Sequence, residues 1–339
     1  MDKPLRLAFV GAGGMARAHL EPVLSVPGVE VVAFADPDMA RCQARTNDLR
    51  SLRPDCEPKC FADPVEMLNS VPLEVVYIVL PPFAHGPAER ACIERDIPFF
   101  IEKPVGLDMG LTRELAAEIE ARRLLTCAGY MNRYREGVQR ARAILKDDPA
   151  VLIHGGWIGG SPDPKPDSWW PQKHLSGGQI VEQSTHTFDL LRYLAGEAVE
   201  VSAHGAVGFN RGLSPYSIED ASVVGIRLAS GAVASMLACC AANAGGGGVW
   251  LNVYAHDSTI LFNGWEHSAQ VLQTGAQPES IPGEQGIFAV EDAIFLEAVR
   301  TGSRGAILSS YADAARTLEL TLAANQAMET GSVVHLDRV

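Results

Sequence analysis

From residue 5 to about residue 128, short apolar runs alternate with amphipathic stretches: LRLAFV, VEVVAFA, LEVVYIVL, IPFFI and LLTCA. Runs of this kind fit strands covered on both faces, and the helical patterns between them supply the crossovers that parallel strands require. The predicted first domain, residues 1–128, is a doubly wound α/β fold. One connection begins Asp63-Pro64-Val65-Glu66, joining an N-cap, a proline in the first turn and an acid at the third position, which reads as a helix start.

The texture changes after residue 130. A helical pattern around Arg135 to Lys146 leads to a strand near Val151 to Trp157 and then to a Pro/Trp-rich loop, SPDPKPDSWWPQKH. From about residue 198 come β-rich runs with little helix between them, including VVGIRLASGAVASMLACC around a turn at Ser230-Gly231. Turn-linked strands of this sort predict an antiparallel sheet, so residues 129–339 read as an α+β domain. Ala244 to Gly248 reads as a bent or mobile loop, because a glycine run costs too much entropy inside a strand. Helical patterns near Phe288 to Thr301 and Ser309 to Thr330 finish the chain.

The formal net charge of −13 excludes a nucleic-acid or anionic-membrane surface, which needs clustered Lys and Arg. The amino terminus runs directly into a strand and no long uncharged apolar stretch follows, so a cytoplasmic protein is expected. Seven scattered cysteines without a C-x-x-C pair point to reduced thiols. The Cys56 and Cys60 pair and the nine histidines lack ligand spacing, so no metal is expected.

Within LAFVGAGGMARAHL, Gly11, Gly13 and Ala16 form G-x-G-x-x-A between the first strand and a helix. Such glycines allow a tight turn and let main-chain N–H groups approach a pyrophosphate at the helix N-terminus, making Gly11, Gly13, Gly14 and Met15 the candidate phosphate loop. The next strand ends in Asp36, placed to accept hydrogen bonds from a ribose diol. Asp36 and Asp38 would repel a 2′-phosphate, so NAD is expected over NADP, although Arg41 is a residue type that accommodates that phosphate.

The segment SGGQIVEQSTHTFDLLRYL, residues 176–194, reads as one helix. Glu182 and His186 stand four residues apart on one side, Asp189 and Tyr193 continue that stripe, and Val181, Phe188, Leu191 and Ala195 make the neighbouring apolar one. Asp189 reads as a structural partner of Arg192. A further pointer is IPFFI, which ends in Glu102-Lys103-Pro104 at the carboxyl edge of the sheet, where open α/β folds place ligands.

VGAGGMA, VLPPFAHGPAERACIERDIPFFIEKP, SGGQIVEQSTHTFDLLRYLAGE and TLELTLAANQAMETGSVVHL together resemble the Gfo/Idh/MocA family of sugar and polyol oxidoreductases, over essentially the whole chain. The resemblance implies an N-terminal Rossmann domain and a C-terminal α/β domain with an open, mostly antiparallel sheet, assembled as homodimers or homotetramers. It implies cofactor contacts from Pro81, His85, Glu102 and Lys103 besides the phosphate loop and Asp36. The family's EKP lysine matches Lys103, and its D-x-G-x-H motif falls on Glu182 to His186. Glu182 replaces the usual Asp, Ser184 a glycine, and Pro82 a polar residue.

By that resemblance His186 takes the proton of a secondary alcohol, as an imidazole titrating near working pH can, Lys103 binds the reacting oxygen, and Glu182 orients substrate or His186. Tyr130, Arg133, Trp157 and Trp170 are substrate candidates, since aromatic faces with a few polar groups suit sugar rings. The expected activity is NAD-dependent hydride transfer with a sugar, inositol or related polyol. Redox-neutral oxidation–elimination and a non-catalytic NAD sensor stand as alternatives.

Overall fold

The computed structural model describes residues 4–162, 165, 168–210, 212–243 and 247–337. The chain divides into two compact units, Met1–Met131 with Gly286–Ala315, and Asn132–Gln285 with Arg316–Val339.

The first unit carries β1 (Leu5–Val10), α1 (Gly14–Ser25), β2 (Val29–Ala35), α2 (Met39–Leu52), β3 (Lys59–Phe61), α3 (Pro64–Ser70), β4 (Val75–Ile78), α4 (Pro87–Glu94), β5 (Phe99–Ile101), α5 (Met109–Arg122) and β6 (Thr126–Ala128). All six strands run parallel in the order β3-β2-β1-β4-β5-β6. The chain leaves β1 to one side and returns to its other side at β4, creating a switch point where the first crevice opens. The expected doubly wound sheet is present. Strand β3 adds to the five runs read from the sequence; three residues beginning with a lysine offer no apolar run to detect. Helix α3 starts as expected, with Asp63 Oδ1 accepting from Glu66 N at 2.7 Å.

The second unit contains α6 (Glu136–Leu145), β7 (Ala150–Gly160), α7 (Lys173–Ser176), α8 (Gln179–Glu182), α9 (Thr185–Ala195), β8 (Ala198–Ala206), β9 (Ala221–Leu228), β10 (Val233–Ala242), β11 (Gly248–Ala255), β12 (Ser258–Asn263), β13 (Ser268–Gln273) and β14 (Glu279–Ile281). After α10 (Ile287–Thr301) and α11 (Tyr311–Thr330), β15 (Val334–His335) completes a nine-stranded sheet ordered β14-β13-β12-β11-β7-β10-β9-β8-β15. Only the β7–β10 pair is parallel, so the sheet is mixed and mostly antiparallel. Its core joins Ile153, Val224, Met236, Leu251 and Ile260 to Phe188 and Leu191 of α9 and Leu320 and Ala324 of α11.

Three expectations need correction. The second domain is not the unbroken span 129–339: residues 286–315 belong to the first unit. Phe295 and Leu296 of α10 share a core with Leu7, Leu20 and Tyr77, and Arg300 donates to Pro27 O at 2.7 Å. An amphipathic pattern shows that a helix covers something, not which sheet it covers. Residues 176–194 are not one helix either, because Ser184 N reaches back five residues to Gln179 O at 2.8 Å and makes a wide turn between α8 and α9. Ser and Thr there favour local alternatives to the regular ladder, and Thr187 Oγ1 bonds Ser184 O at 2.7 Å. Finally, Gly248 of the expected glycine loop begins β11 opposite Ile158, while residues 244–246 lie outside the described residues.

One buried ionic chain ties the first unit together. His19 of α1 is fully buried; its Nδ1 lies 2.9 Å from both carboxylate oxygens of Asp292 in α10, and its Nε2 lies 3.0 Å from Glu102 Oε1 just after β5. Burial pushes the imidazole pKa down, but the Asp292 and Glu102 carboxylates outweigh it and raise it to about 10, so both ring nitrogens donate. The raised value makes this contribution to stability full below the ordinary pKa of about 6.5 and lost as pH rises through about 10. His19→Gln should cost about 3–5 kcal/mol at pH 7 by leaving buried carboxylates uncompensated. Chemical denaturation from pH 6 to pH 10 should show wild type losing its advantage over the variant; parallel profiles would contradict the charge assignment.

Candidate active site

The residues expected to hold a dinucleotide all stand at the carboxyl ends of the parallel strands. Gly11 follows β1, Asp36 follows β2, Pro81 lies three residues past β4, and Glu102-Lys103 follows β5. Gly11 has φ +92°, and an added Cβ would meet Val79 O at 2.4 Å, so the turn out of β1 requires glycine. Gly13 and Gly14 differ, because a Cβ at either would meet nothing within 4 Å. Their open side lies at the start of α1, which has no acidic residue in its first turn and no side-chain cap. Main-chain N–H groups at such a helix start remain available to an anion, and Met15 beside them is 37% exposed.

Asp36 is buried, and the main chain fixes its carboxylate: Oδ2 accepts from Ala12 N at 2.8 Å and Oδ1 from Asp38 N at 2.9 Å. Each oxygen keeps lone-pair capacity for a diol. Arg41 lies 3.3 Å from Asp38, which also caps α2 through Ala40 N at 3.0 Å. The residues present fit a dinucleotide with a free 2′-hydroxyl: a loop open beside free amides, then an oriented carboxylate one strand over.

The other cofactor candidates are held by side chains. His85 Nδ1 is 2.5 Å from Glu89 Oε1, while Glu89 Oε2 accepts from Gly86 N at 2.6 Å, so the buried Glu89 fixes both the ring and the turn into α4. Glu102 Oε2 accepts from Lys103 N at 3.1 Å while its other oxygen bonds His19, and Gly129 leaves room for it, since a Cβ there would stand 2.8 Å from the carboxylate. The backbone that presents Lys103 is therefore anchored to the interior. Among the described residues, no group of three or more His, Cys, Asp or Glu side chains could hold a metal ion. No described helix is long and apolar enough to cross a membrane.

In the second unit, Trp170 Nε1 donates to Glu182 Oε2 at 2.6 Å, joining two candidates that the sequence could not pair. A wide turn separates Glu182 from His186, which is 5% exposed, its ring centroid 5.9 Å from that of Trp265 at an interplanar angle of 89°. Trp265 also meets Trp157 at 5.4 Å and 65°. Sequence reasoning missed Trp265; the available signal was an indole directly after Asn263-Gly264, a turn position where strand alternation does not call for burial.

Two substrate candidates are buried. Arg133 is buried and grips Asp189 through Nε at 2.8 Å and Nη2 at 2.6 Å, so its guanidinium serves as a tether for α9. This also corrects the Asp189–Arg192 expectation: Asp189 takes Arg133 and Thr317, whereas Arg192 grips Glu197 at 2.9 and 2.8 Å and donates to Thr317 at 2.6 Å. Tyr130 is 1% exposed. Of the Pro/Trp-rich loop, residues 163, 164, 166 and 167 lie outside the described residues.

Comparison with known proteins accords with this architecture. Residues 5–130 match the model of an oxidoreductase family with an NAD-binding Rossmann fold, and residues 150–261 match the GFO/IDH/MocA C-terminal domain. A scyllo-inositol 2-dehydrogenase (NAD(+)) of Bacillus subtilis is 26% identical, with the match covering 99% of this chain and 98% of that protein. A levoglucosan dehydrogenase solved with NADH superposes with a TM-score of 0.88 at 19% identity, over 99% of this chain and 100% of that one. A myo-inositol 2-dehydrogenase from Lactobacillus plantarum gives 0.83 at 20% identity, over the same shares. With both of its domains matched in order by the family's models, the chain belongs to the Gfo/Idh/MocA family of oxidoreductases.

Proposed function

We propose that this protein is an NAD-dependent dehydrogenase that oxidises a secondary alcohol of an inositol, a sugar or a related ring polyol, and reduces the corresponding ketone in reverse. The observation that carries this reading is the pair Glu182 and His186: a carboxylate held by the Trp170 indole and a nearly buried imidazole beside an exposed indole. A cofactor sensor has no use for a proton-transfer set. The names of the inositol and levoglucosan dehydrogenases that resemble it support the polyol class.

Bound NAD supplies the hydride acceptor. The chain's own residues do the rest. A ring nitrogen of His186 would take the hydroxyl proton as the carbinol hydrogen leaves with its electron pair for that acceptor, which leaves a ketone and an imidazolium. Lys103 Nζ, presented by the segment that Glu102 anchors, donates to the reacting oxygen and stabilises its developing negative charge. Glu182, whose carboxylate the Trp170 indole orients, accepts a substrate hydroxyl.

The test follows nicotinamide absorbance with NAD and a panel of inositols, aldoses and anhydrosugars. His186→Ala should lower kcat by ~10²–10⁴-fold and Lys103→Met by a similar factor. Unchanged rates in either variant would remove that residue from the mechanism.

Cofactor binding has its own control in the glycine loop. Gly13→Ala should weaken NADH binding at least about tenfold, about 1.4 kcal/mol, with stability within about 1 kcal/mol of wild type. Gly11→Ala, at a positive φ, should cost about 1–3 kcal/mol or more in folding itself. Fluorescence titration with NADH and denaturant melts separate the two effects; tight NADH binding by the Gly13 variant would place the pyrophosphate elsewhere.

A further inference from the structure

Trp265 does not behave like an incidental surface residue. It occupies the loop between β12 and β13 and leaves 45% of its surface exposed, although an indole is among the side chains with most to gain from burial. The exposure is not a result of looseness. Arg135, only 1% exposed, reaches under the loop and donates to Trp265 O at 3.3 Å, Glu266 O at 2.9 Å and Glu284 O at 2.5 Å, while its Nε donates to Asn132 Oδ1 at 2.7 Å. His267 adds a second clamp, its Nδ1–H donating to Trp265 O at 2.9 Å. Burial, with the Arg135 charge adding to it, lowers the His267 pKa to about 4, so this ring is neutral at working pH.

Burying a guanidinium is costly unless its donors are satisfied, and here two of its four bonds fix the backbone beneath an exposed indole. The ring itself is wedged: Trp157 meets it at 5.4 Å and the imidazole of His186 at 5.9 Å, nearly perpendicular. An aromatic surface that is exposed, rigidly mounted and adjacent to the proposed base is arranged to receive something flat and apolar lying beside the reacting hydroxyl. A polyol ring offers such a surface in its axial C–H groups, whereas an open-chain polyol has no persistent C–H face.

We propose that Trp265 is the platform on which the substrate ring lies next to His186, and that it selects cyclic polyols over open-chain ones. The inference rests on the dehydrogenase reading above. Arg135 and His267 are its positioning residues, since they act on the substrate only through the Trp265 backbone.

The test compares kcat and KM of wild type, Trp265→Phe and Trp265→Ala on scyllo-inositol, glucose and sorbitol, choosing the ring substrate with the highest wild-type rate. Trp265→Ala should raise KM for that ring substrate about tenfold or more, equivalent to about 1.4 kcal/mol, with kcat within about threefold. Trp265→Phe should recover most of that loss, and the parameters for sorbitol should change less than about twofold in either variant. NADH binding and the denaturation midpoint should be unaltered, which separates a platform from a packing role. A wild type that oxidises none of the compounds would overturn the dehydrogenase reading and this inference with it. A wild type that is active, with Trp265→Ala affecting ring and open-chain substrates equally or lowering kcat alone, would overturn the platform and leave the dehydrogenase reading standing.

Discussion

His19 holds the first unit's working parts in register. The helix that opens after the glycine loop, the turn that presents Lys103 and the returning helix α10 come from distant stretches of sequence, and one imidazolium meets the last two from the first. The arrangement depends on charge as much as geometry. A neutral imidazole has one donor and could serve only one of two carboxylates, leaving the other buried without compensation. Protonated, the ring donates at both ends, and the Glu102 oxygen that remains is free to hold Lys103 N. The position of the Lys103 backbone therefore traces back to a histidine in the first helix, 84 residues earlier in the chain.

The second unit solves the same problem with guanidinium groups. Arg133 and Arg192 bracket α9, one gripping Asp189 and the other Glu197, with the Thr317 hydroxyl hydrogen-bonded to both networks. Planar bidentate pairs fix orientation as well as position, which a lysine at the same sites would not. The helix that carries His186 is thus tied at Asp189 and Arg192, while the five-residue turn before it keeps Ser184 N bonded to Gln179 O. Deviations of this five-residue type are frequent at functional sites.

What could be read in advance follows from how local each signal is. The parallel sheet, the glycine loop and Asp36 were legible because they depend on contiguous patterns: apolar runs, a three-glycine turn, an acid at the end of the next strand. Lys103 and His186 stand out by position, one at a strand's carboxyl end and one four residues from Glu182, but their expected roles came through resemblance to a family. Strand β3 was missed because three residues leave no period, and the membership of residues 286–315 because a helix face does not name its partner. Arg133 reads in the sequence as polar binding capacity near aromatic residues, and its pairing with Asp189, 56 positions away, has no local signal. Pairings between charged residues at that separation are set by tertiary folding, on which local propensity is silent.

The three tryptophans near the candidate site take their roles from contacts that form only on folding. Trp157, Trp170 and Trp265 belong to a strand, a loop and a hairpin turn, and none has a neighbour in sequence that announces its role. Each is instead assigned by what it touches. Trp170 has its one donor committed to Glu182, so that indole orients a carboxylate. Trp157 braces another indole from a central strand of the sheet. Trp265 alone of the three is both exposed and mounted on a buried charge. Three residues of identical chemistry thereby divide into one that orients, one that supports and one that presents a surface, and the division comes from the polar groups around them. Rigidity of this kind favours selection among rigid substrates: a ring that already matches the platform gives up little conformational freedom on binding, whereas a chain must first be ordered to lie flat.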